Sequence, residues 1–237
     1  MEKKLKQVVG ILMLMTVMFT GWMFFGGPFD TYYLLWNLLL AWIPLGIALV
    51  LIKERKKQPS GLRALGKGFL AALWLFFFPN AVYVITDFIH LSQEVFYYPN
   101  PSYEPYSGAE RILYSMEKLP WNNFFSISYA VFLGCALSAL SLYLLHGEVR
   151  RAKGSRRAWG MVAAVHLLSG YAIYLGRFIR FNSWDVVLRP MHLLRFAVGS
   201  FDKQALSFSL QFFLLSFFIY LIFYLFADLG RSEEKTQ

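Results

Sequence analysis

The chain of 237 residues is 57% hydrophobic and 19% aromatic, with 16% charged residues, too little polar surface to cover a water-soluble domain of this size. Its formal charge of +9 would suit nucleic acid, but the Lys and Arg residues sit in short runs between apolar segments, a pattern of membrane topology, so no nucleic-acid partner is expected. The single cysteine, Cys135, lies in an apolar run, which excludes an intrachain disulfide and a Cys-based metal site.

A bilayer core of about 30 Å takes about 20 helical residues to cross, and six apolar runs come near that length. Met1 to Gln7 carries Lys3, Lys4 and Lys6 and leads into the first run, 8–25. A signal peptide would start in a similar way, but its apolar region spans only about 7–15 residues and ends in a small-x-small cleavage site. That site is missing, so an uncleaved span is expected. Gly26, Gly27, Pro28, Phe29 and Asp30 form a turn, and the second span covers 33–52 with Pro44 inside it, where a kink is expected. Lys53 to Gly68 holds six Lys or Arg residues against Glu54 alone and reads as a cytoplasmic loop.

The third span covers 69–91, and a Tyr- and Pro-rich connection over Ser92 to Pro120 follows with Glu94, Glu104, Glu110 and Glu117. Ser107 and Glu110 have capping-box spacing ahead of Ile112, Leu113 and Met116, which predicts a short interfacial helix. Tyr97, Tyr98, Tyr103, Tyr106 and Tyr114 suit headgroup level. The fourth span covers 121–145, with Ala130, Gly134 and Ser138 at intervals of four as a packing face. Glu148 to Arg157 reads as a second basic cytoplasmic loop. The fifth and sixth spans cover 158–179 and 205–229, and a polar tail ends at Gln237.

The predicted fold is therefore an all-α polytopic membrane helix bundle, one integral domain over 1–237 with six spans and short interfacial helices in the outer loops. Of the 23 Lys and Arg residues, 16 fall at the two ends and in the two basic loops, which places both termini in the cytoplasm. The two halves share no visible repeat, so an inverted-repeat transporter is not supported.

Polar residues in the third span draw attention. Asn80, Tyr83, Asp87, His90 and Glu94 are spaced 3, 4, 3 and 4 apart, one stripe along an α-helix. Pro79 removes a backbone donor just before them. Asn80 and Tyr83 read as a structural stripe that ties helices together. Asp87 falls near the outer boundary, where the fifth span brings Arg177, followed by Arg180, Asn182 and Asp185. Arg177 and Arg180 lie three apart, and either could pair with Asp87 through its guanidinium. That pair would be a site or a structural ion pair.

The last outer segment, Asp185 to Phe201, reads as amphipathic, with Arg189, His192 and Arg195 at intervals of three and Pro190 suited to a first turn. These side chains either snorkel to headgroups or join Arg177, Arg180 and Asn182 as ligands for an anionic group. Asp87, His90 and Asp185 are the candidates for acid or base chemistry. A metal at Asp87 and His90, with His192 as third ligand, is a weak signal, and none is expected. His166 and Gln211 read as hydrogen-bonding groups between helices. No Walker A, Gly-x-Ser-x-Gly, His-Glu-x-x-His or dinucleotide motif occurs, and no cofactor is expected.

At Pro79 to Leu91 (PNAVYVITDFIHL) and Gly176 to Asp185 (GRFIRFNSWD), supported by the Asn37 to Pro44 region, the chain resembles a bacterial family of multi-pass membrane proteins, the domain of unknown function 1361. The family pattern carries a second proline where Val82 stands and an acidic residue near Trp121, where this chain has Asn122 and Asn123. An acidic role there is thereby in doubt. The resemblance implies a bacterial membrane location and a shared outer-side motif, and it brings no activity.

Three readings follow from the residues. The outer polar group binds an anionic envelope component, such as a lipid phosphate or cell-wall polymer, with or without processing it. Alternatively, Asn37, Asn80, His166 and Gln211 line the path of a small transporter or channel component. In the third, the chain is a non-catalytic partner or regulator of another membrane protein. Membrane lipids are partners in every case.

Overall fold

A computed structural model describes residues 2–54, 61–178, 191, 195, 199 and 202–233. Helices dominate it because the apolar runs can satisfy their backbone groups in lipid only internally. They are α1 (Glu2–Phe25), α2 (Tyr33–Glu54), α3 (Gly61–Tyr83), α4 (Lys118–Lys153), α5 (Ser155–Phe178) and α6 (Lys203–Glu233). All six are long and apolar enough to cross a membrane, the third together with the 3-10 helix that extends it. Large apolar side chains such as Leu14, Met18, Phe132 and Phe226 are exposed, a surface that needs lipid rather than water.

Three local expectations are corrected. The third span does not continue as an α-helix to Leu91: α3 stops at Tyr83 and a 3-10 helix runs over Val84–Gln93. Val82, Val84, Ile85 and Thr86 are β-branched residues that lose side-chain freedom in an α-helix, and they straddle the change. The short helix expected after Ser107 is instead a β-hairpin of β1 (Tyr97–Pro99) and β2 (Ile112–Tyr114), with Tyr98 opposite Leu113. The Ser107 hydroxyl donates to Glu104 O and accepts from Ala109 N, and Gly108 takes φ +76°, a left-handed step that turns the chain away from a helix. The loop expected over Glu148 to Arg157 shrinks to Gly154, with φ +84°. α4 runs on to Lys153, its last carbonyls complemented by Arg150, Arg151 and Lys153, and the Gly154 N–H closes on Arg150 O at 3.0 Å.

Contacts divide the chain into two units, Met1–Trp36 with Val84–Leu133 and Asn37–Tyr83 with Gly134–Gln237. In the first, α1 packs on the beginning of α4. Phe19 stacks on Tyr129 at 5.2 Å, and Trp22 Nε1 donates to Ser126 Oγ at 3.2 Å. Within α1, Thr16 and Thr20 return their hydroxyls to Leu12 O and Thr16 O, which satisfies them inside the span. The hairpin is tied to α4 by Trp121, whose Nε1 donates to Ser115 O at 2.9 Å while its ring meets Phe96 edge-on.

In the second unit, α5 and α6 come close at Gly170, where an added Cβ would lie 2.6 Å from Ser209 O. Ser169, Ala205 and Ser209 are buried around that crossing, as small residues permit. α3 joins α4 through Trp74 Nε1, which donates to Ser141 Oγ at 2.8 Å. Ala130, Gly134 and Ser138 of α4 are buried as expected of a packing face, Ala130 in the first unit and the other two in the second.

Candidate functional site

The polar stripe of the third span divides at Tyr83. Asn80 Nδ2 donates to Phe77 O of its own helix at 3.1 Å, a bond that occupies one of the carbonyls near Pro79. Tyr83 does join two helices: its hydroxyl accepts from Arg177 Nη1 at 2.9 Å, and the guanidinium lies 5.7 Å from the Tyr83 ring centre. This pairs a planar cation with a π face and a hydroxyl at once, and it positions the first residue of the basic group at the end of α5.

Beyond Tyr83 the 3-10 geometry changes the register. With three residues per turn, Val84, Asp87 and His90 align, and the α-helical stripe that would have linked Asp87 to Tyr83 is lost. Asp87 is 1% exposed, which leaves it to pair within the protein rather than to meet water. His90 is half-buried and packs its ring on Tyr33 at 4.9 Å. Asp87 belongs to the first unit and Arg177 to the second. Arg180, Asn182, Asp185, Arg189 and His192 lie outside the described residues. Arg195 occupies an exposed helical position, as do Met191 and Gly199, four residues to either side.

Among the described residues no three His, Cys, Asp or Glu side chains converge as a metal site. Glu94, the last member of the predicted stripe, instead meets Asn123 of α4, which also reaches Asp30. That group was invisible in the spacing because its members come from three separate segments.

A second polar group in the second unit was also missed. Its centre is His146, a residue of α4 that is 1% exposed. Nδ1 lies 2.7 Å from the buried Tyr220 hydroxyl of α6, and the ring sits edge-on to Trp159 of α5 and nearly parallel to Tyr224. Arg150, one turn on, donates from Nη1 to Tyr224 Oη at 2.8 Å. Tyr143, His146, Gly147, Arg150 and Tyr224 line a small recess. The signal was present as Tyr143, His146, Gly147 and Arg150 on one α4 face and Tyr220 and Tyr224 one turn apart. Reading Arg150 only as part of a basic run concealed it.

His166 behaves as expected of a hydrogen-bonding group between helices. Its Nδ1 lies 3.0 Å from Ser216 Oγ of α6. The Ser216 hydroxyl already donates to Phe212 O at 2.8 Å, so it accepts from His166, which fixes the proton on Nδ1. Gln211 corrects its expectation: it is exposed and donates to Ser207 Oγ in its own helix at 3.1 Å.

Six membrane-length helices with polar groups gathered at particular helix contacts define a multi-pass integral membrane protein. A family model described as protein of unknown function (DUF1361) matches residues 36–222. The chain belongs to that family. No curated protein and no solved structure matches it.

Proposed function

We propose that this membrane protein binds an anionic component of a bacterial cell envelope, a lipid headgroup or a phosphate-bearing polymer, through the basic group that begins at Arg177. The observation that carries the reading is the Arg177–Tyr83 contact. The phenol hydroxyl and ring orient the guanidinium, and a preoriented guanidinium suits the paired oxygens of a phosphate. Arg180, Arg189 and Arg195 follow within 18 residues of Arg177 in a chain where 16 of the other 19 Lys and Arg residues gather at its ends and in two basic segments. With those segments cytoplasmic, as the charge bias favours, both termini lie inside and the Arg177 group faces out. In this reading Asn182, Asp185 and His192, which fall in the same stretch of sequence, supply further polar groups.

Lipid retention tests it. Purified protein in nanodiscs of mixed phosphatidylglycerol and phosphatidylcholine is delipidated, and the retained lipid is weighed by native mass spectrometry. Wild type should keep the anionic lipid, and Arg177→Gln should lose it about tenfold, the worth of one charge-assisted contact of about 1.4 kcal/mol. Displacement by short polyphosphate would point to a polymer as the natural ligand. Equal retention of both lipids, unchanged in the variant, overturns the reading.

A second reading, a partner or regulator of another membrane protein, draws on the hairpin. Tyr97, Tyr98, Tyr103, Tyr106 and Tyr114 are all exposed there, and tyrosines are favoured contact residues. Recovery of one stoichiometric partner after mild solubilisation, lost when residues 100–111 are replaced by a short turn, supports it.

A further inference from the structure

The group around Asn123 lies wholly within the first unit, whereas Arg177 belongs to the second. Asn123 is 2% exposed, and its Nδ2 lies within hydrogen-bond reach of two carboxylates, Asp30 Oδ2 at 3.3 Å and Glu94 Oε1. Three segments distant in sequence supply them: the turn entering α2, the end of the 3-10 helix and the first turns of α4. Two formal negative charges thus converge on one neutral amide, and among the described residues neither carboxylate is joined to a Lys, Arg or His.

A second feature of the group is the other end of that amide. Asn123 Oδ1 is buried and has no hydrogen-bond partner, an arrangement that buried polar atoms normally avoid. Rotating the amide plane by half a turn exchanges its nitrogen and oxygen. The oxygen then joins the two carboxylates, and three oxygen atoms carrying two negative charges repel one another unless a cation lies among them. One orientation of the amide suits the vacant group and the other a loaded one.

We propose that Asp30, Glu94 and the Asn123 carbonyl oxygen bind a hard divalent cation of the Ca²⁺ type. Every donor is oxygen, with no thiolate or imidazole to select zinc or copper. Asp30 is exposed, so water completes the six to eight ligands that Ca²⁺ takes. Two charges and one neutral oxygen place the dissociation constant at about 10⁻⁴–10⁻³ M, the range of extracellular calcium modules. Binding clamps the α1–α2 turn, the end of the third span and the start of α4 to one another. Mg²⁺, which demands tighter octahedral geometry, binds more weakly.

The test uses the full chain in detergent, freed of metal by chelation. Terbium, a calcium-like oxygen-seeking ion, is added and its luminescence excited through tryptophan. Luminescence should saturate and be displaced by CaCl₂ below about 10 mM, and MgCl₂ should displace it less well. Asp30→Asn and Glu94→Gln should each weaken binding about tenfold or more, and Asn123→Asp, which adds a third charge, should tighten it by a similar factor. Choline chloride at equal ionic strength should do nothing. Removing one of two like charges should leave the chelated protein melting at or above wild type. If either neutral variant instead melts lower, Asn123→Asp decides: tighter binding upholds the site, and unchanged binding overturns it. No saturable signal, or the same signal in the Asp30→Asn/Glu94→Gln double variant, also overturns it.

Discussion

The second unit joins its span-borne polar groups through neutral partners, His146 with Tyr220, His166 with Ser216 and Trp74 with Ser141, whereas the first brings the carboxylates of Asp30 and Glu94 together over one amide. Asp30 is exposed, while Tyr220, His146 and Ser141 are almost wholly buried. The difference follows from the cost of charge in an apolar medium. A neutral donor and acceptor can be withdrawn from water together at a cost that their bond largely offsets, but a carboxylate far from water needs a cation or a proton. Neutral pairs can therefore hold the helices of the second unit along their length. The carboxylates belong to the element ends of the first, where water or an ion can reach them.

The sharpest way to break this contrast is to separate the helices that carry the neutral pairs. Gly170→Val should cause the largest loss of stability, because even the first added carbon lies 2.6 Å from Ser209 O and the obstacle is backbone. Overpacking commonly costs about 1–3 kcal/mol, and a clash with backbone on a second helix puts this variant at the upper end. The loss would be read as a fall in melting temperature of the detergent-solubilised protein. A wild-type melt would mean that α5 and α6 do not approach at this point.

A smaller effect is expected from the neutral pairs themselves. Tyr220→Phe removes the hydroxyl that meets His146 Nδ1 and keeps the ring that packs on His146, His166 and Trp159. Combined with His146→Phe in a double-mutant cycle, it should give a coupling of about 1 kcal/mol, between the average of about 0.6 and the maximum of about 1.7 found for hydrogen bonds in membrane helices. Trp74→Phe with Ser141→Ala should give a similar or smaller value, since that contact is also buried and neutral. Coupling near zero in both cycles would remove the distinction between the units.

These predictions rest on residues that were unequally visible in the sequence. Six long apolar helices could be read from the sequence because burial in lipid demands long apolar runs, a requirement that composition reports directly, whereas their ends could not, since α3 begins at Gly61 and α4 continues to Lys153. His166 and Tyr83 could be identified as interhelical groups because each stands out against apolar neighbours. The change to a 3-10 helix after Tyr83 was not visible: Asp87 and His90 remain three apart in either geometry, and only the backbone decides whether they continue the line from Asn80 and Tyr83. The hairpin competed with a valid capping pattern and won through Gly108 and the turn bonds of Ser107. His146 was masked by the basic run beside it, and Asn123 by the distance in sequence to Asp30 and Glu94. Helix neighbours are a property of tertiary packing, and one sequence without its contacts does not specify them.

The smallest expected effect is also a useful control. Gln211 stood in sequence as a candidate lining residue of a transport path, yet its side chain is exposed and satisfied by Ser207 of the same helix. Gln211→Leu removes one exposed hydrogen bond and adds an apolar side chain to a helix that already exposes Leu210, Leu214 and Leu215. In detergent or lipid the two changes oppose each other, so the melting temperature should stay level or rise slightly, corresponding to about 0.5 kcal/mol or less. A loss as large as that of Tyr220→Phe would show that Gln211 contacts another helix after all and would put a polar group of the transport reading back on a helix interface. An unchanged melt leaves α6 with one face toward lipid and its polar chemistry on the opposite face, where Ser209, Ser216 and Tyr220 meet their partners.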